Sequence, residues 1–374
     1  MSKKILLTAT ELHLSQFWVP HIENFINHGF SVDIICSNVS NKVDILKQKL
    51  EDLPVKIDVV DLARSPFKFS NINGYKKMKK LLADRHYDII MTNEPVMGVV
   101  TRLVAKKYRK TGTKVLYTAH GFHFFTGAPK LNWIVFYPIE KWLSKYTDAL
   151  VTINTEDFDR ARRKFKAENT YYIHGIGVNT DKLEIKDELK DIRSELKLDN
   201  DDFVVLSIGE LNDNKNHQVV IRALGELRND KIKYIICGKG EKLEYLSNLA
   251  AESGVSNNVF FLGYRNDIAE ICRKVDLFVF PSIREGLGLA PIEAMYCGLP
   301  VVASKIRGPV DFMMTGKNGE TCSPYDCKQF AKAIKKIMDD PDLKKQYGTA
   351  SVQLSKPFCI NSVKDELFNI VNNL

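Results

Sequence analysis

Residues 277–304 hold a strand, a tight turn and a helix in immediate succession, and this constrains the fold more than any other stretch. Leu277-Phe278-Val279-Phe280 is short, apolar and β-favouring, as expected of a strand buried within a parallel sheet. Pro291-Ile292-Glu293-Ala294-Met295-Tyr296 reads as a helix whose first turn contains Pro291, where a missing N–H costs nothing. Gly298-Leu299-Pro300 ends that helix, and Val301-Val302-Ala303 is the next strand. Residues 285–293 therefore form a strand-to-helix turn at the carboxyl edge of a sheet, where open α/β sheets bind ligands.

The residue types in this turn suggest its chemistry. Gly286 and Gly288 permit close backbone approach, and the first N–H groups of the helix point outward as anion donors. Glu285 and Glu293, eight positions apart, flank that anion site. Carboxylates repel a phosphate, so they should grip hydroxyls on either side of it. A nucleotide sugar has this layout: ribose hydroxyls, a diphosphate, then sugar hydroxyls. The bland alternative is a loop with two solvated glutamates.

Strand and helix signals alternate along the rest of the chain. Residues 5–8, 32–36, 56–60, 89–92, 115–117 and 149–153 read as strands, with helical runs near 18–28, 74–84 and 99–109 between them. A second series follows at 203–208, 233–237, 259–263, 277–280 and 301–303. This alternation predicts doubly wound parallel sheets. The length of 374 residues suits two or three domains, and the two strand series point to two. Seven cysteines are scattered without a zinc spacing, and free thiols in a reducing compartment are expected. The apolar run after Met1-Ser2-Lys3-Lys4 is too short for a signal peptide, which points to a cytoplasmic protein.

The net charge of +8 is uneven: residues 1–180 carry 27 Lys and Arg against 17 Asp and Glu, whereas the remainder carries 27 against 29. An anionic membrane surface or anionic substrate accounts for a basic first half. No nucleic-acid motif accompanies it, so a nucleic-acid partner is not expected.

The block from 281 to 304 resembles retaining glycosyltransferases of family 4, with the GT-B fold. Glu285 and Glu293 match the E-x7-E signature, and Pro281-Ser282, Glu293-Ala294-Met295, Gly298, Pro300-Val301-Val302 and Ser304 match the flanking pattern. The resemblance implies that Glu293 holds the donor ribose and Glu285 faces the donor sugar. Gly286, Leu287 and Gly288 would present backbone N–H groups to the diphosphate and sugar. Gly209, Leu211 and Lys215 match the family's G-R-L…K segment, but Glu210 stands where arginine is usual. Lys215 should then carry more of the diphosphate charge, with Arg307 a secondary candidate. Gly238, in Gly238-Lys239-Gly240, is a donor-side candidate, and Tyr264-Arg265 resembles the base-binding loop.

In the first domain Thr118-Ala119-His120-Gly121-Phe122-His123 resembles capsule and exopolysaccharide enzymes of the family, which places His120 beside the transferred sugar. A packed core histidine is the other reading. His123 and Ser15 are acceptor-side candidates, Ser15 lying in the run that replaces the family's glycine pair after the first strand. Residues 127–146 combine apolar and aromatic residues at helical spacing with Lys130, Lys141 and Lys145. They read either as a buried helix or as an interfacial helix on an anionic membrane, and a lipid substrate favours the latter. Asp157-Phe158-Asp159 and Asp199-Asn200-Asp201 are rejected as metal sites, the first because acids favour a helix's first turn.

The expectation is therefore two Rossmann-like domains facing across a cleft. Residues 1–185 bind acceptor, residues 186–356 bind donor, and a last helix in residues 357–374 returns to the first domain. The implied reaction is metal-independent, retaining transfer from a UDP-sugar, carrying an N-acetylhexosamine or hexose, to an undecaprenyl-diphosphate-linked saccharide. The catalytic candidates are Glu285, His120 and Lys215. The setting is capsule, exopolysaccharide or O-antigen synthesis at the inner face of the cell membrane. A UDP-sugar 2-epimerase of the same fold and a non-catalytic nucleotide-sugar binder are the alternatives.

Overall fold

The computed structural model describes residues 2–10, 17–38, 48, 50–65, 68–184 and 191–374. It divides into two units, Met1–Gly177 with Ile360–Leu374, and Val178–Cys359.

The first unit is built on seven parallel strands: β1 (Lys4–Ala9), β2 (Ser31–Cys36), β3 (Lys56–Val59), β4 (Ile89–Asn93), β5 (Lys114–Ala119), β6 (Ala149–Thr152) and β7 (Asn169–Tyr172). Their order is β3-β2-β1-β4-β5-β6-β7. The chain winds one way from β1 and the other way from β4, so the topological switch point lies between β1 and β4. β4 is buried at all five positions, its apolar Ile89-Ile90-Met91 run leading to buried Thr92 and Asn93 at the carboxyl end.

The helices α1 (Val19–Asn27), α2 (Ser70–Ala83), α3 (Pro95–Ala105), α4 (Lys130–Leu143) and α5 (Thr155–Lys164) join these strands. Pro95 starts α3, where its fixed φ suits the first turn. Arg102 of α3 is almost fully buried, donates to Glu140 of α4 at 2.8 Å, and lies 3.9 Å from the centre of the Tyr117 ring. Gly98 allows this packing, because a Cβ there would meet the Tyr117 ring at 2.8 Å. The C-terminal helix, Ile360–Asn372, lies against α1 through Phe368, whose ring contacts His28 and Phe30. Glu366 also accepts from the His174 backbone and ring.

The second unit carries β8 (Phe203–Ile208), β9 (Ile232–Cys237), β10 (Val259–Gly263), β11 (Leu277–Phe280), β12 (Val301–Ser304) and β13 (Gly319–Cys322). All six are parallel, ordered β10-β9-β8-β11-β12-β13, with the switch point between β8 and β11. Its helices are α6 (Ile192–Glu195), α7 (His217–Leu227), α8 (Leu243–Glu252), α9 (Ile268–Cys272), α10 (Leu289–Tyr296), α11 (Cys327–Met338) and α12 (Pro341–Ser355). One continuous core joins Val205, Val220, Ile236, Val279, Phe330 and Ile334. α10 begins at Leu289, two residues before the helix read from Pro291, because Gly288 adopts a φ of +99° and serves as the cap.

Candidate active site

The carboxyl edge of the second sheet gathers most of the donor-side candidates. The loops after β8 and β11 flank the switch point, and side-chain bonds hold them together. Asn216, in the left-handed region at the cap of α7, donates to the Pro281 and Pro324 carbonyls at 3.0 and 2.8 Å. Asn214 donates to the Arg284 carbonyl at 3.0 Å, and its own carbonyl accepts from Ile283 N–H. Asn212 Oδ1 accepts from Lys215 N–H at 2.9 Å.

These tethers set Lys215 against Glu285, Nζ to Oε1 at 2.7 Å, with both side chains mostly buried. The ammonium also lies 5.1 Å from the centre of the Phe280 ring. Gly209 makes room for the Lys215 stem, since a Cβ there would meet its side chain at 3.1 Å. A Cβ on Gly288 would meet the same Phe280 ring at 2.8 Å, so the turn into α10 requires glycine by both space and φ. Leu287 turns its side chain into the protein, and its backbone is left uncovered by Gly308, where a Cβ would stand 3.0 Å from the Leu287 N. Arg307 donates to the Glu285 carbonyl at 3.1 Å. The site is thus a strand-to-helix turn beside two cationic side chains.

Glu293 lies on α10, where burial raises its carboxyl pKa and Lys182 lowers it. It accepts no hydrogen bond from a described residue, so its carboxylate is desolvated and available to an incoming hydroxyl. Gly238 has a packing reason: a Cβ there would lie 1.8 Å from the Gly209 carbonyl oxygen. The glycines of Gly238-Lys239-Gly240 let the loops after β8 and β9 lie on one another. Glu210 is exposed and accepts from Asn212 Nδ2. Tyr264 is exposed, while Arg265 is held by Glu195 and Asp267, which raise its pKa.

In the first unit His120 follows β5, its Nε2 3.3 Å from Asn93 Oδ1 and its ring edge-on to Trp18. Burial lowers its pKa to about 4, so it is neutral near pH 7. His123 is exposed and stacks on Phe136 at 4.6 Å. Ser15 lies outside the described residues.

The structure shows what the acidic residues rejected as metal sites do, and it adds Glu94. Asp157 is fully buried, pairs with the cap Asn154, and accepts from Phe122 N–H at 2.9 Å. Its role is to anchor the His120–Phe122 loop, which goes beyond the favourable helix dipole read from its position. Asp159 is exposed beside Arg163. Asp199 and Asp201, grouped with Asp202, are bridged by the Lys231 ammonium at 3.0 Å each. Glu94, next to Asn93, holds φ +69° and ψ 152°, a region that costs a non-glycine residue about 1–3 kcal/mol. Such strain at the end of a central strand is a site signal visible only in the backbone.

Among the described residues, nine buried side-chain N or O atoms have no partner. Six of them belong to Thr10, Thr92, Asn93, Thr118, Ser282 and Ser304, at or just beyond the carboxyl ends of β1, β4, β5, β11 and β12. Buried polar atoms are seldom left unsatisfied, and their concentration at these edges makes both candidate ligand-binding edges.

Comparison with known proteins agrees. Residues 189–353 match the model of glycosyl transferases group 1, and residues 4–154 match glycosyl transferase 4-like. The chain is 36% identical over 376 residues to the putative glycosyltransferase EpsD of Bacillus subtilis (strain 168), covering 99% of this chain and 96% of that one. The chain belongs to the family 4-like glycosyltransferases. It is an enzyme of the GT-B class, with two Rossmann-like domains. It is also 26% identical over 322 residues to the Escherichia coli UDP-Gal:alpha-D-GlcNAc-diphosphoundecaprenol alpha-1,3-galactosyltransferase, covering 84% of this chain and 81% of that one. HepE from Anabaena, solved with UDP and glucose, has the same fold, with a TM-score of 0.80 at 19% identity and full coverage of both chains.

Proposed function

We propose that this glycosyltransferase moves a sugar from a UDP-sugar to an undecaprenyl-diphosphate-linked saccharide, with retention of the anomeric configuration, in assembly of an extracellular polysaccharide. The observation that carries the donor half is the Lys215–Glu285 pair set beside the Gly286–Gly288 turn and the first turn of α10. The departing UDP develops charge on its diphosphate. Lys215, Arg307, the 286–288 N–H groups and the helix N-terminus are positioned to stabilise it, with no metal required. Glu293 accepts from the ribose hydroxyls, and Glu285 orients the donor sugar. His120, held neutral, acts on sugar hydroxyls as a hydrogen-bonding group. The acceptor hydroxyl attacks from the leaving-group face and loses its proton to a phosphate oxygen.

Support for UDP comes from the ligand of HepE, and support for the acceptor from the name of the Escherichia coli relative. No described helix is long and apolar enough to cross a membrane. Peripheral contact is supported by the basic first half and by α4, whose Leu131, Ile134 and Trp142 are exposed beside Lys130, Lys141 and Lys145.

A thermal-shift panel of UDP, GDP, ADP and UDP-sugars tests the donor. A ligand that binds only the native state raises the melting temperature. UDP-sugars should stabilise the wild type and leave Glu293→Ala unmoved. Equal stabilisation of both proteins would show that the donor ribose is not held by Glu293. Transfer of radiolabelled sugar to a lipid extract then tests the acceptor.

A further inference from the structure

Asn93 closes β4 at the switch point of the first sheet, and it is only 2% exposed. It stands opposite Thr118 of β5 in the parallel register, so both side chains point to one face of the sheet. His120, two residues beyond Thr118, returns to that face and meets Trp18. Among the described residues the Asn93 side chain has one polar partner, the His120 ring, with Oδ1 3.3 Å from Nε2. Its Nδ2 is buried with none. A tight turn fixes the amide in place: Glu94 takes a positive φ, its carboxylate accepts from Thr10 N–H, and Pro95 starts α3 at once. His120 Nδ1 has no partner among the described residues and is not enclosed, so it is the nitrogen open to a ligand.

We infer that Asn93 is a positioning residue for transfer: its amide oxygen accepts from His120 Nε2–H and leaves Nδ1 as a neutral acceptor for a hydroxyl of the transferred sugar. The inference rests on the reading that His120 meets that sugar. Which ring nitrogen keeps the proton is set by the partner of the other. An amide oxygen orients the ring and carries no charge. A carboxylate in its place would favour imidazolium, because an opposite charge at hydrogen-bond distance favours the ionised form. The transferred sugar gains positive charge as its bond to the diphosphate breaks, and a cation beside it would oppose that step. Asparagine at position 93 therefore gives orientation without charging the ring.

The titratable groups around the ring leave this choice to Asn93. His21 of α1, packed on Trp18, is itself kept neutral by burial. Glu94 is bound to Thr10 N–H and Asp157 of α5 to Phe122 N–H, and neither is bonded to the ring. Burial alone lowers the His120 pKa, to about 4.

Asn93→Asp keeps the shape and adds the charge. Transfer from the UDP-sugar to lipid extract is measured from about pH 5.5 to 8.5 as the ratio of variant to wild type, so that titrations common to both cancel. The ratio should lie within about threefold of one at the alkaline end, and fall about tenfold per pH unit below the raised pKa of His120. A ratio independent of pH overturns the inference. Asn93→Ala removes the oxygen, so kcat should fall at least about tenfold at every pH while KM for the UDP-sugar moves less than about threefold. Unchanged kcat overturns it too. Long-range 15N–1H NMR of His120, assigned with His120→Gln, reads the tautomer in the free protein without any assay of transfer. The wild type should show Nε2–H and Asn93→Ala a mixture, and these two proteins suffice if Asn93→Asp does not melt cooperatively. Nδ1–H in the wild type, with the amide turned end for end, overturns the inference. If the tautomers are as expected but His120→Gln transfers as well as the wild type, the hold of Asn93 on the ring stands and the reading that His120 meets the sugar fails.

Discussion

Replacing the two partners of the Lys215–Glu285 pair should move nucleotide affinity in opposite directions. In the free protein the carboxylate holds the ammonium at 2.7 Å. An arriving diphosphate must share that ammonium. A phosphate oxygen at hydrogen-bond distance from Lys215 Nζ would stand about 5 Å from the Glu285 carboxylate, a repulsion of about 3 kcal/mol at an effective dielectric of 20. Salt and partial exposure reduce this to roughly 1–2 kcal/mol. Glu285→Gln keeps a hydrogen-bond acceptor for Lys215 and removes the charge, so UDP affinity should rise about 5- to 30-fold. Transfer should fall by at least about 100-fold if the carboxylate orients the donor sugar.

Lys215→Met acts the other way. It removes a charge-assisted hydrogen bond to the diphosphate, about 1.5–3 kcal/mol, and leaves Glu285 facing the phosphate unopposed. UDP affinity should fall about 100-fold or more. Isothermal titration with UDP reads both changes, and thermal melts check that both variants fold. If both substitutions weaken UDP by similar factors, the pair is only a brace between two loops and the assignment fails. Full transfer activity in Glu285→Gln would sink the proposed role of that carboxylate.

Other substitutions separate binding from folding. Glu293→Gln should raise the melting temperature of the free protein, by up to about 1 kcal/mol of stability, while UDP no longer stabilises it; a lower melting temperature would mean that the carboxylate supports the fold. Gly238→Ala places a methyl group 1.8 Å from the Gly209 carbonyl oxygen, and should cost about 1–3 kcal/mol in urea melts as well as UDP affinity. His21 and His217, both buried, have pKa values lowered to about 4 by burial. The unfolded chain binds those protons first, so stability holds above pH 6.5 and is lost as pH falls from 6.5 to 4, by up to roughly 3 kcal/mol for each histidine. Melts that stay flat from pH 7 to 4.5 contradict this.

Much of the architecture was legible because parallel sheets advertise themselves. Leu277–Phe280 is apolar throughout, and Ile89–Met91 opens the central strand the same way, as a strand covered on both faces requires. The candidate donor turn was legible because Pro291 fixes the start of a helix and Gly288 supplies the positive φ that its cap adopts. What escaped depends on distance in the chain. The Asp157 carboxylate meets the Phe122 N–H 35 residues earlier, and an aspartate at a helix start looks the same with or without that bond. Arg102 and Glu140, 38 positions apart, give no local sign of pairing in the interior. Nor could composition show that Arg265 spends its charge on Glu195 and Asp267. The helical spacing of residues 127–146 left two readings, a buried helix and an interfacial one, and the structure shows a helix with one packed and one outward face. Trp133, Phe136 and Tyr137 pack on Phe122 and Phe124, while Leu131, Ile134 and Trp142 face outward.

The two carboxyl edges differ in a way that bears on how each would bind. At the edge of the second sheet the charged groups and loop amides are mostly paired, Lys215 with Glu285, Arg307 with the Glu285 carbonyl, Asn214 and Asn216 with the loop they brace, although the Ser282 and Ser304 hydroxyls there are buried without a partner among the described residues. Such a site loses little conformational freedom on binding and needs only an exchange of partners at Lys215. At the first sheet Thr10, Thr92, Asn93 and Thr118 are buried with unsatisfied atoms, and Glu94 stores backbone strain beside them. These groups destabilise the free unit and are relieved only when something hydrogen-bonds to them. A ligand at this edge should therefore raise the stability of the first unit more than its contact area alone suggests. Hydrogen exchange with and without the lipid-linked saccharide acceptor reads this directly. Protection should rise at the amides of β4 and of residues 120–123, and unchanged exchange there would remove the argument from unsatisfied groups.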